Sequence, residues 1–330
     1  MSHAIIPLLP VLFLVLMAEF VNGWTDAPNA IATVVSTRVM TPVQALTMAV
    51  ILNFLGTLSG TAVALTVGKG IIRPEVINLS TIAAAMVGNI VWGNFARYFG
   101  LPTSSTHALV SGLAGASIAT AGFSSLQWEG WRKVFLGLGF STFLGFLGGF
   151  ILMMTIYWIF QKARPGWIRK IFGRLQIFSA AFMAFSHGCN DGQKFMGMFT
   201  LTLVIGGILP EFKIPIWVIT ICALTIGLGT ALGGWKIVRT IGVRLTKLEP
   251  VQGFAAETGA ALTIELASRL GIPLSTTHTI NTSIMGVGTT RKFSAIRWGV
   301  GGEIVTAWLF TFPVCGLIGW ATCQIFKLLF

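Results

Sequence analysis

A chain of 330 residues with 54 % hydrophobic and 10 % charged side chains lies far from a soluble domain, in which about a quarter of residues carry charge. Its mean hydropathy of +0.82, with 39 glycines and 12 prolines spread through long apolar runs, excludes a disordered chain, a disulfide scaffold and most soluble enzymes; it points to an all-α polytopic membrane protein. The net charge of +12 sits in short patches between the apolar runs without aromatic interleaving, which sets nucleic acid aside as a partner and suits anchoring among membrane lipids.

In chain order, the first apolar run, from about Ala4 to Val21, has no basic start. The nearest small-x-small site, Ala30-Ile31-Ala32, lies beyond Glu19, Asn22 and Asp26, so the run reads as a retained span and not a leader. Further apolar stretches cover about 42–68, 79–99, 131–160, 176–210, 214–235, 253–270 and 297–326. Between Lys162 and Arg174 stand five basic residues and no acid, which the positive-inside rule places in the cytoplasm. Lys236, Arg239, Arg244 and Lys247 form a second basic segment, read as a surface helix or loop. Gly137, Gly139, Gly145, Gly148 and Gly149 read as a small-residue face for helix packing, and the 11 tryptophans as interfacial belts. Cys189, Cys222, Cys315 and Cys323 form no C-x-x-C pair and sit in apolar stretches, so redox or structural metal chemistry is not expected of them. No P-loop, H-E-x-x-H or G-x-S-x-G occurs, which counts against an enzyme.

The chain repeats itself. Asn22-Gly-Trp-Thr-Asp-Ala-Pro-Asn29 answers to His187-Gly-Cys-Asn-Asp-Gly-Gln-Lys194 at a shift of 165, which aligns Asp26 with Asp191. Gly100-Leu-Pro-Thr-Ser-Ser-Thr-His107 answers to Gly271-Ile-Pro-Leu-Ser-Thr-Thr-His278 at a shift of 171. Two motifs in the same order at nearly the same spacing make each half one structural unit: a first repeat at 1–161, a basic cytoplasmic connector at 162–175 and a second repeat at 176–330. A twofold-related pair of units is a common plan of secondary transporters.

An ionisable group at membrane depth costs at least ~3 kcal/mol and normally faces a cavity or an ion. Asp26 and Asp191 lie inside apolar runs, and the neighbouring glycines and Pro28 are expected to break or bend the helix there and free carbonyls for a cation. The Pro-x-Ser-Ser/Thr-Thr-His motifs read as helix starts whose free N–H groups suit a tetrahedral oxyanion. After His278 only about twelve mostly apolar residues precede Arg291-Lys292, and the run after His107 is also short, so both read as re-entrant hairpins, at 101–123 and 272–291. His107, His187 and His278 are candidates for a proton relay; for His107 and His278 a buried structural donor tying a hairpin to its neighbour is favoured. Lys194 stands where the first half has Asn29, and can balance Asp191, contact an anion or replace a coupling cation. Glu257 reads as a supporting or proton-carrying carboxylate, Glu265 as a weaker candidate.

These motifs resemble the signatures of the inorganic phosphate transporter (PiT) family, over essentially the whole chain. The likeness is strongest to the bacterial low-affinity branch, through residues 22–34, Asn53-Phe-Leu-Gly56 and Ser186–Lys194. The resemblance implies an inverted-repeat symporter that moves phosphate with a cation, two helical hairpins at the substrate site, and a homodimer. It implies that Asp26, Asn29, Asn190 and Asp191 hold the coupling ion and contact phosphate. Ser104, Ser105 and Thr106, with Ser275, Thr276 and Thr277, would bind phosphate oxygens, and Glu257 matches a functional glutamate. Sodium-coupled animal members carry a glutamate where this chain has Asn53, so protons are favoured over sodium. The bacterial branch also implies metal–phosphate complexes as cargo.

The expectation is therefore an all-α protein of about 10–12 membrane segments in two inverted repeats, each with a broken helix and a re-entrant hairpin. Its expected work is phosphate uptake by cation symport in the inner (plasma) membrane by alternating access, with no cofactor beyond the coupling H+ or Na+. Competing readings are a symporter of sulfate or another oxyanion and, from a different class, a passive anion channel.

Overall fold

The structure, a computed structural model, describes residues 6–73, 75 and 77–329. Residues 4 and 5 of the first expected span lie outside the described residues. Among the described residues the chain is helical, with one isolated β-bridge between Ile72 and Leu126.

The first half runs α1 (Leu9–Ser36), α2 (Pro42–Leu58), α3 (Ala62–Leu65), α4 (Leu79–Phe99), α5 (Ser105–Ala121) and α6 (Trp128–Phe160). The second runs α7 (Pro165–Ile205), α8 (Ile216–Ala231), α9 (Trp235–Arg239), α10 (Pro250–Arg269), α11 (Thr276–Thr289) and α12 (Trp298–Leu329). The series repeats element by element. In each half the second helix bends by 63° into the third, and each third helix continues as a π-turn, Thr66–Gly70 or Thr240–Arg244.

Local sequence explains the boundaries. Thr41 closes a capping box with Gln44 ahead of Pro42, and Asn78 does the same with Thr81. Gly100 and Gly271 adopt φ of +71° and +65°, the left-handed conformation that ends a helix. Leu101 N then donates to Ala96 O and Ile272 N to Ala267 O, which completes the helix stop. Ser104 and Ser275 accept from the amides of His107 and His278 and start α5 and α11. The repeated Gly-x-Pro-x-Ser thus writes a stop and a start four residues apart, and that is the hairpin turn.

Among the described residues, four helices are long and apolar enough to cross a membrane, α1 (with Ile6–Leu8), α4, α6 and α12, or six if each bent pair counts as one span. This is fewer than the 10–12 segments expected, for two reasons. α5 and α11 have 17 and 14 residues, about 25 and 21 Å at 1.5 Å per residue, short of a ~30 Å hydrocarbon layer. α7 and α10 interrupt their apolar runs with polar and charged side chains, and α7 is internal: every one of its residues from Ser186 to Leu203 is buried. The basic stretch of the expected connector runs into the exposed first turns of α7. Outward apolar side chains on α6 and α12, such as Phe143, Trp158, Leu309 and Leu317, suit contact with lipid in a multi-pass membrane protein.

The packing is reciprocal. α5 lies on α12 and α11 on α6; α1 lies on α8 and α2 on α7. Glycines allow the close approaches: a Cβ on Gly115 would strike the Gly316 carbonyl, one on Gly286 the Phe146 carbonyl, one on Gly23 the Ile226 carbonyl and one on Gly188 the Asn53 carbonyl. On α6, Gly137, Gly145, Gly148 and Gly149 meet neighbouring chain as expected of a small-residue face, whereas Gly139 is exposed with nothing within 4 Å. The expected break at the aspartates falls elsewhere. α1 passes through Asp26 and Pro28 unbroken and α7 through Gly188 and Gly192; the bends lie at 59–61 and 232–234.

Candidate functional site

Every member of the site sits on α1, α7 or the first turn of α5 or α11. Asp26 and Asn29, three residues apart, share one face of α1; Asp191 and Lys194 share one face of α7. The hairpin turns bring Ser105 and Thr106 from one side and Thr276 and Thr277 from the other.

Ser105 Oγ donates to Asp26 Oδ2 at 2.8 Å, and Thr276 Oγ1 donates to Asp191 Oδ2 at 3.1 Å. Asn29 Nδ2 donates to Thr277 Oγ1 at 2.9 Å, and at 3.5 Å to Thr276 Oγ1. Lys194 is wholly buried, and its Nζ reaches Asp191 Oδ1 at 2.5 Å, Thr106 Oγ1 at 2.6 Å and the Leu274 carbonyl at 3.0 Å. Thr106 Oγ1 in turn donates to the Leu274 carbonyl, so the two tips are tied to each other as well as to the lysine. His187 Nε2 lies 3.3 Å from Asp191 Oδ2, while His187 Nδ1 meets Asn53 Oδ1 at 2.9 Å. Donor atoms of Asp26, His187 and Asp191 fall within 4.8 Å of one another, a spacing that suits a cation.

Asp191 is the balanced acid of the pair, flanked by His187 and Lys194 where the first half offers the neutral amides of Asn22 and Asn29 around Asp26. Two first helical turns converge on this cluster, and their amides at Ser105, Thr106, Thr276 and Thr277 have no acceptor within their own helices. The site combines exchangeable negative charge with oxyanion donors in one buried place.

The structure separates other candidates from this cluster. Ser104 and Ser275 cap α5 and α11, their hydroxyl oxygens accepting from the amides of His107 and His278, which leaves each O–H as a donor. Asn190 turns away, its Nδ2 donating to Ser268 Oγ and the Ile272 carbonyl. His107 and His278 pack edge to face with ring centroids 4.4 Å apart, and His278 stacks on Trp308 at 3.7 Å. That places them behind the tips, as parts of the hairpin packing. Glu257 forms its own buried cluster, accepting from Thr33 at 2.5 Å, from Gln176 at 3.0 Å and from Ser179. Glu265 pairs at the surface with Arg269 at 2.8 Å. Motif reading missed Thr33, Gln176 and Ser179, which lie outside any repeated string, and it missed Asn53 as the partner of His187. The spacing of 19, 22, 26, 29 and 33 along α1 is the signal that puts Thr33 on the site's face.

Membrane-length helices enclosing two short helices whose N-termini meet at buried carboxylates and a lysine define a transporter and not an enzyme. The phosphate transporter family profile matches residues 22–319. The chain belongs to the phosphate transporter family, and the resemblance carried by the repeated motifs holds. It is 46 % identical over 305 residues to a probable low-affinity inorganic phosphate transporter of Rhizobium meliloti, covering 92 % of this chain and 91 % of that one. It is 37 % identical over 315 residues to a probable low-affinity inorganic phosphate transporter of Bacillus subtilis, covering 94 % and 95 %. A solved structure described as the sodium-dependent phosphate transporter superposes with a TM-score of 0.92 at 25 % identity, covering 98 % of this chain and 99 % of that one.

Proposed function

We propose that this protein takes up inorganic phosphate across the inner membrane by cation symport, with a proton as the coupling ion, through alternating access of two inverted repeats (1–161 and 176–330) joined by a cytoplasmic connector, and that it works as a homodimer. The carrying observation is the single buried cluster in which Asp26, Asp191 and Lys194 meet the N-termini of α5 and α11. Phosphate oxygens accept from the first-turn amides and hydroxyls of Ser105, Thr106, Thr276 and Thr277.

The hydrogen bonds supply a coupling step. With Asp26 ionised, the Ser105 hydroxyl donates to it. A cation on Asp26 takes that acceptor away, and the hydroxyl turns to phosphate. Asp191 needs no exchangeable partner, because Lys194 already holds it. That leaves one carboxylate at the centre to be neutralised by the travelling ion, and it favours the proton. Matched bends and reciprocal packing support a rocking of one half on the other around this fixed site.

Two observations support further readings. The solved relative is described as sodium-dependent, which favours sodium as the alternative ion. The donor spacing at Asp26, His187 and Asp191 favours a metal–phosphate complex as cargo. Labelled phosphate uptake into proteoliposomes under a pH gradient or a sodium gradient, imposed separately, tests the proposal. Accumulation under the pH gradient supports it. Accumulation under the sodium gradient alone assigns the other ion, and sulfate competing equally with phosphate overturns the substrate.

A further inference from the structure

Past the C-terminal end of α1, about 15 Å of helix rise from Asp26, a cavity of about 820 Å³ lies between the two halves of the chain. Its size falls within the range of small-molecule sites. Arg38 from the first half and Arg169, Lys247 and Arg297 from the second line it, with Glu249 as the one acid. None of these side chains belongs to the cluster at Asp26 and Asp191.

Two neighbouring arginines are matched by acids: Arg244 pairs with Glu303 at 3.1 Å, and Arg291 with Glu249 at 2.6 Å, which takes up the acid of the cavity wall. Among the described residues, Arg38, Arg169, Lys247 and Arg297 have no carboxylate within ion-pair distance. Arg297 gives one N–H to the Arg244 carbonyl at 3.3 Å. Four like charges around one space repel one another, and an anion in that space removes the repulsion.

Arg38 adds an independent sign. Arg38 N donates to Val35 O and Val39 N to Val34 O, each at 3.1 Å, the bonds that close α1, and the turn holds Arg38 at φ +60°. Among the described residues no other side chain bearing a Cβ has a positive φ; the remaining five such positions are glycines. Glycine is the unstrained choice at this place in a helix stop, and what it cannot supply is a guanidinium.

We propose that this cavity is a cytoplasmic site for the phosphate group of an anionic ligand, either a phospholipid headgroup or free inorganic phosphate. Guanidinium forks match phosphate oxygens two at a time, and three arginines from three segments surround the space, with Lys247 as a point charge. Gly166, second residue of α7, lies in the same wall; its amide has no acceptor within its own helix, and α7 starts without a side-chain cap. The volume leaves room for the glycerol of a headgroup or for ordered water around a bare ion. A bound anion joins the end of α1, in the first half, to the start of α7 and to the π-turn Thr240–Arg244, whose Gly242 and Val243 also line the cavity. Only the side of the membrane rests on the reading of the basic connector as cytoplasmic.

The melting temperature of the detergent-solubilised protein, titrated with dihexanoylphosphatidylglycerol, dihexanoylphosphatidylcholine or inorganic phosphate, tests the site. Phosphatidylglycerol is expected to raise it saturably in the wild type and phosphatidylcholine to leave it unchanged. The triple variant Arg38→Gln/Arg169→Gln/Lys247→Gln changes exposed side chains only, and is expected to need about tenfold more of the anionic probe. A response to phosphatidylglycerol alone that weakens in the variant assigns the headgroup; a response to inorganic phosphate that also weakens assigns the free ion. A variant that responds as the wild type does to both anionic probes, or a wild type that responds to neither, overturns the site. An equal response to phosphatidylcholine overturns recognition of the anion. A wild type that responds to phosphatidylglycerol yet takes up no phosphate leaves this site standing and overturns the transport reading instead. If the triple variant does not fold, Arg38→Gly decides, since glycine suits φ +60°. An unliganded melting temperature at or above wild type with about threefold weaker binding supports the site, and unchanged binding overturns it.

Discussion

Lys194 concentrates the logic of the site in one side chain. Buried in full and bonded to Asp191, Thr106 and the Leu274 carbonyl, it holds a charge, a hydroxyl and a backbone group from three segments. Removing one partner of a buried ion pair costs ~3–5 kcal/mol because the other charge is left uncompensated. Lys194→Ala is therefore expected to lower the melting temperature of the detergent-solubilised protein clearly and to abolish phosphate uptake. Asp26 is different: its partner is a neutral hydroxyl, so Asp26→Asn keeps a similar shape. Wild-type insertion and thermal stability with uptake reduced at least tenfold are expected, and normal uptake by Asp26→Asn would remove that residue from the proposed coupling role. At this scale the repeated motifs marked Asp26, Asp191 and Lys194, because charge inside apolar sequence is rare. They did not reveal that Asn190 faces away, since which side of a helix a residue faces depends on its neighbours in space.

Between elements, glycine decides how near two helices come. Gly23 meets the backbone of α8 and Gly188 that of α2, with no room for a Cβ. Gly23→Val and Gly188→Val are expected to force these crossings apart and to leave little monodisperse protein on size-exclusion chromatography. Gly139→Ala, in open space, is expected to behave as wild type in the same measurement. Gly100 combines φ of +71° with a close approach to Lys236, so Gly100→Ala is expected to destabilise by about 1 kcal/mol or more, read as a lower melting temperature. The hairpin turns were visible in the sequence because stop, proline and cap are all local signals. The unbroken course of α1 and α7 was not. Proline and glycine weaken a helix by amounts that tertiary packing overrides, and Pro28 sits where α1 is enclosed by other helices.

Across the whole molecule, each half supports the other's hairpin. Thr240 Oγ1, in the bent segment of the second half, donates to the Gly100 carbonyl at 2.9 Å. Thr66 Oγ1, in the bent segment of the first half, donates to the Gly271 carbonyl at 2.7 Å. A repeat in the sequence announced two equivalent units, but no string of residues announced that they exchange supports. That follows from three-dimensional closure and lies outside any local pattern. A double substitution of Thr66 and Thr240 to Val is expected to slow uptake more than the two single changes combined, since both hairpin turns lose their tether to the opposite half of the chain. Additive effects in the uptake assay would show that the two tethers act independently.

The reciprocal packing also sets a timetable for making the protein. The partner of α5 is α12, which begins roughly 180 residues further along, so at 5–20 residues per second the ribosome leaves α5 without it for roughly 10–35 s. During that interval a 17-residue helix with a polar tip, too short to span, must be sheltered by α4 or by the insertion machinery. Biogenesis of the first half ends only when the second half is finished.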